Sequence, residues 1–115
     1  MADFTMYQGD TKTLEVTVED EAGDVVNITG TTIRWQLAKT ARAAVPIIAK
    51  ETGDGIAIVD GAAGRFDVAL DPEDTVDLSA RSYYHEAEID DAGVISTVLT
   101  GKATIRQALI KPDES

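Results

Sequence analysis

The chain has 115 residues, 21 acidic and 10 basic, for a formal net charge of -11. That length fits one domain, and 43 % apolar residues supply a core without disulfides. With no cysteine there is no disulfide scaffold, thiol nucleophile or Cys-ligated metal; one histidine excludes a multi-His centre within a single chain. A pI near 4.3 argues against nucleic acid as a partner, which calls for a basic footprint.

Met1-Ala2-Asp3-Phe4 has no basic n-region and no apolar h-region, so the expectation is a chain beginning at Met1 and synthesised in the cytoplasm. Apolar stretches such as Ala43–Ala49 are too short for a membrane span and include Pro46. No membrane partner is expected.

Threonine, valine and isoleucine are abundant, at 13, 10 and 10 residues. They fit a pleated, half-buried surface. Gly and Asp clusters recur every ~8–12 residues, as turns do in a sandwich or barrel.

Thr11–Glu19 alternates, with Leu14, Val16 and Val18 on the core face of a predicted strand. Asp20–Asp24 reads as a turn and Val25–Ile28 as a short return strand. Thr31–Ala38 places Ile33, Trp35 and Leu37 inward. Lys39–Val45 permits a helical turn that Pro46 stops. Short strands follow at Ile47–Lys50 and Ile56–Val59, with turns at Thr52–Gly55 and Asp60–Gly64. Arg65–Leu70 alternates again, with Phe66, Val68 and Leu70 inward.

Asp71-Pro72-Glu73-Asp74 has the form of a helix start: an Asp N-cap, Pro at the first position and acids in the first turn. Tyr83–Ile89 is a strand with Tyr83, His85, Ala87 and Ile89 inward. Asp90–Gly93 closes a hairpin. Val94–Leu109 forms one or two last strands, with a break or bulge expected near Gly101.

The expected fold is all-β: a two-sheet antiparallel sandwich of seven to nine strands with one short helical turn near 71–78. Residues 1–110 form the single domain and 111–115 a short polar tail. Trp35 in mid-strand, and an acidic turn leading into Tyr83-Tyr84, resemble the immunoglobulin-like class. There a tyrosine hydroxyl bonds back to the backbone just upstream.

Chemistry-bearing groups do not converge. A Ser/His/Asp triad would need His85, which shares the inward face with Tyr83 and Ala87 and reads as a core histidine. Glu86 and Glu88 share the outward, solvated face. Acids cluster in turns at Asp20/Glu21/Asp24, Asp71/Glu73/Asp74/Asp77 and Asp90/Asp91, without the D-x-D-x-D-G spacing of a calcium loop. Asp71, Asp74 and Asp77 are the residues a hard cation would use; otherwise these acids are turn formers and N-caps. The glycine turns lack the Lys-Ser/Thr of a phosphate cradle. No cofactor is implied, and the chain reads as non-enzymatic.

Tyr7-Gln8-Gly9-Asp10-Thr11 leads into the first alternating strand. Asp20-Glu21-Ala22-Gly23, Asn27-Ile28-Thr29-Gly30 and Thr32-Ile33-Arg34-Trp35-Gln36-Leu37 follow. Later come Gly64-Arg65-Phe66-Asp67-Val68-Ala69-Leu70, Thr75-Val76-Asp77-Leu78, Tyr83–Ile89 and Ser96–Gly101. This series resembles the N-terminal immunoglobulin-like domain of phage baseplate upper proteins and related small virion proteins of tailed phages. The usual Gly before the Tyr is replaced by Ala80-Arg81-Ser82. No fibre-attachment segment follows Leu109, so the resemblance implies a neck, tail, baseplate or capsid-surface component.

It also implies location in the virion, other virion proteins as partners, and a homo-oligomer or multi-copy symmetric assembly. The signature residues Gly9, Asp10, Gly30, Trp35, Gly64 and Tyr83 have structural roles. Gly9 frees a bend that the Asp10 side chain would hold by accepting backbone N–H groups. Met1–Gly9 and Ala103–Ser115 are expected to reach neighbours. The alternatives are a carbohydrate or cell-surface module using Arg42, Tyr84 and Trp35, and a small metal-dependent enzyme using the Asp turns.

Overall fold

The computed structural model describes residues 3–43 and 45–109. The chain runs through β1 (Phe4–Tyr7), β2 (Lys12–Thr17), β3 (Thr32–Ala38), β4 (Ile48–Thr52), β5 (Gly55–Asp60) and β6 (Arg65–Leu70). The helical turn α1 (Pro72–Thr75), β7 (Arg81–Asp91) and β8 (Val94–Arg106) complete it. The fold is all-β, with α1 where the Asp-Pro signal predicts a helix start. The tail 111–115 lies outside the described residues.

Hydrogen bonding links the strands in the order β1-β8-β7-β3-β4-β5-β6-β2. This is one continuous sheet by pairing, and it is not purely antiparallel as expected. β1 runs parallel to β8, and β4 touches β5 in parallel register over Glu51↔Gly55 and Thr52↔Ile56 only. That short link is where the sheet folds over. Ile33, Trp35 and Leu37 of β3 thereby share one core with Phe66, Val68 and Leu70 of β6, and with Ala87 and Ile89 of β7. Leu14 and Val16 of β2 pack against the same core half-buried.

Three expectations are corrected. β1 is an additional strand: Phe4 and Met6 face inward, a two-residue alternation too short to stand out in the sequence. Residues 4–7 are therefore paired within the chain through one edge, to Ala103–Arg106 of β8, while the other edge of β1 ends the strand order. Val25–Ile28 is not a strand; only an isolated Glu19↔Val25 bridge forms there. The β8 irregularity lies opposite Ala87/Glu88, near Val98, whereas Gly101 stays in register with His85.

The turns follow local chemistry. Ala92 and Gly93, at φ 55° and 94°, make the two-residue β7–β8 loop, as positive φ at both loop positions suits a hairpin. Gly64 has φ 72°; its carbonyl accepts Val18 N–H at 2.8 Å, which seats the end of the β2 segment against the β5–β6 turn. Gly30 also adopts positive φ.

Candidate functional site

β3 and β7 bring Trp35 and His85 together beneath the sheet. Both are buried, and Trp35 Nε1–H donates to His85 Nδ1 at 3.0 Å. An imidazole that accepts at Nδ1 is neutral and carries its proton on Nε2. The Phe4 ring meets His85 edge-on at 4.9 Å between centroids. The histidine is held as a core group between these two aromatic neighbours.

Tyr83 opens the inward series of β7. Its hydroxyl donates to Ser79 O at 2.8 Å, four residues upstream, and the Arg81 guanidinium lies 5.4 Å from its ring centroid. This is the backbone-directed bond anticipated from the turn-then-tyrosine pattern.

Gly9 adopts φ 75°, as its place in the bend requires. The bend is closed differently from expectation. Asp10 contributes its backbone N–H, donating to Tyr7 O at 3.2 Å, while the residue itself is exposed. The stronger anchor is Gln8, which sequence reasoning missed. Its Nε2 donates to Leu78 O at 2.6 Å, and its Oε1 accepts Ala108 N–H at 3.2 Å. Gly9 N–H donates to the buried Thr75 hydroxyl at 2.8 Å. A lone polar residue after a short strand carries no periodicity to reveal such a clamp.

The three aspartates that a cation would use are not arranged as ligands. Asp74 Oδ2 lies 2.9 Å from Lys50 Nζ on β4 and accepts Asp71 N–H at 2.7 Å. Asp77 is exposed. Among the described residues no group of three or more His, Asp or Glu side chains is placed to hold a metal ion. On the outward face, Arg34 lies 3.5 Å from Glu88 and 3.8 Å from Asp90. Tyr84 donates its hydroxyl to Glu86 at 2.9 Å. That bond, then burial and the Glu86 charge, raise the Tyr84 phenol above 10.0.

A concavity of about 590 Å³ opens between β2 and β8. β2 forms one wall. Val98, Leu99 and Thr100 of β8, with Asp3 and Phe4, form the other, and Trp35 and His85 are at its floor. No family model matches the chain, and no curated protein matches it in sequence.

Proposed function

We propose that the chain is an immunoglobulin-like β-sandwich domain and a non-enzymatic structural protein of a tailed-virus particle. It works in the baseplate, tail, neck or capsid surface, through contacts with other virion proteins and in symmetry-related copies. The Tyr83–Ser79 bond carries the reading. It follows α1 in the order that the motif series of such virion proteins implies.

The strand order gives further support. β1, β8, β7, β3 and β4 lie on one side of the β4/β5 link, and β5, β6 and β2 on the other. Buried Trp35 on β3 supports the reading, because such sandwiches carry a core tryptophan in mid-strand. The signature residues Gly9, Gly64, Trp35 and Tyr83 act in bends and packing, so what the chain presents to partners is surface and strand edge. A carbohydrate module fits less well, because Trp35 is buried and out of reach of a sugar.

Electron microscopy of tailed-virus particles carrying a labelled copy tests the proposal. Label density at symmetry-related positions is the expected result. Purified particles that contain none of the chain by mass spectrometry would overturn it.

A further inference from the structure

β2 and β8 each leave a strand edge uncovered at the groove. β2 is the last strand in the order and pairs with β6 alone. β1 covers β8 only from Ala103 to Arg106, and Asp3 Oδ1 accepts the N–H of Lys102 at 2.8 Å. From Val94 to Thr100, β8 pairs with β7 alone among the described residues. Two rows of backbone donors and acceptors therefore border one hollow. An unpaired edge is a template for another strand.

The side chains between these edges are apolar and half-buried: Leu14 and Val16 from β2, Val98 and Leu99 from β8. They suit the inward residues of an extended segment, which alternate in direction. The rim is acidic. Asp3, Glu15 and Glu19 line it in exposed positions, against one cation, Lys12. A second copy of this chain would bring its own net charge of -11 to that rim. A cationic segment is attracted both by the rim and by the whole molecule.

We infer that the groove is a strand-addition site. Its occupant is an extended segment of a partner protein, with apolar residues facing inward and lysine or arginine at the flanking positions. The added strand hydrogen-bonds to the β2 or β8 edge, covers Leu14, Val16, Val98 and Leu99, and sets its cations against Asp3, Glu15 and Glu19. The inference rests on the reading of the chain as an assembly protein. The two fail separately, because this one is measured on the isolated protein and the other on particles.

The probe is a capped seven-residue peptide alternating lysine and valine, titrated into the full chain and followed by amide chemical shifts. Saturable shifts confined to β2 and residues 94–100 are expected, with a change in Trp35 emission from the groove floor. Glu15→Lys with Glu19→Lys, both at exposed positions, weakens binding roughly tenfold. Methylating alternate peptide amides removes strand pairing and abolishes binding. The absence of shifts overturns the inference. So does equal binding by the methylated peptide or by one with glutamate in place of lysine. Concentration-dependent dimerisation that shifts the same amides without peptide also overturns it, because the occupant is then a second copy.

Discussion

Trp35 and His85 lie diagonally across β3 and β7, and their 3.0 Å hydrogen bond ties these neighbouring strands beneath the sheet surface. Because both groups are buried, each depends on the other for the bond. Replacing one strands a polar atom away from water. His85→Leu keeps roughly the volume and removes the acceptor, so urea unfolding should show a loss of about 2 kcal/mol. Trp35→Phe removes the donor and leaves a small void. The double variant should lose less than the sum, by about 1 kcal/mol, because one bond is counted in both single variants.

The Tyr83 hydroxyl makes one bond, to Ser79 O at 2.8 Å, and its ring is buried. Tyr83→Phe retains the ring and its packing. Thermal unfolding should show a loss of about 1 kcal/mol with an unchanged far-ultraviolet spectrum. A neutral substitution would mean that the corner contributes nothing beyond its ring.

β3 and β6 were legible because their period-two pattern is clean: Ile33/Trp35/Leu37 and Phe66/Val68/Leu70 are buried as read. The boundaries of β6 were legible too, since Gly64 and Asp71-Pro72 flank it. The parallel β1 was not, because its four residues offer two inward side chains and its partner β8 is a whole chain length away. The fold-over between β4 and β5 was also hidden, since a two-residue parallel contact leaves no compositional trace. The groove escaped for a related reason. Leu14 and Val16 read as core positions, nothing in the pattern of Val94–Leu109 sets Val98 and Leu99 beside them, and the open ends of the sheet leave all four half-buried.

Gly64 should be the least replaceable of the turn glycines. A Cβ there would stand 2.7 Å from Val26 O and 2.8 Å from Val18 O, at φ +72°. Gly64→Ala therefore combines a left-handed alanine with a clash against backbone, and should lose about 3 kcal/mol. Gly23→Ala, at φ +86° with open space around it, should lose only about 1 kcal/mol. Ala92 is the converse, a non-glycine at φ 55°, so Ala92→Gly should gain a few tenths to about 1 kcal/mol. Melting temperatures of the three variants check the ranking.

Tyr84 links surface electrostatics to alkaline stability. Its phenol is raised above 10.0, first by the hydrogen bond to Glu86, then by burial and the Glu86 charge. The folded state therefore holds the Tyr84 proton more tightly than the unfolded chain does. This contribution is complete below the unfolded value of 10.0 and is lost as pH rises through the higher folded value. Tyrosinate absorbance should show a Tyr84 phase above 10.0. Tyr84→Phe should delete that phase, and Glu86→Gln should bring it to lower pH.

The N-terminal segment separates folding from assembly. Met6 is buried, Phe4 packs on His85, and Gln8 joins β1 to Leu78 and Ala108. Burial of Met6 contributes about 2 kcal/mol, and each Gln8 bond about 1 kcal/mol. Removing residues 1–8 should therefore destabilise the isolated domain by at least about 4 kcal/mol, a large share of a small domain's total. The segment thus serves the fold, whatever its open outer edge contacts. Gln8→Ala alone should lose about 2 kcal/mol, because it leaves Leu78 O and Ala108 N–H without their partner. Denaturant midpoints of the purified variants measure both losses. A truncated chain as stable as the intact one would show that β1 is dispensable to the core, returning the segment to a role in assembly.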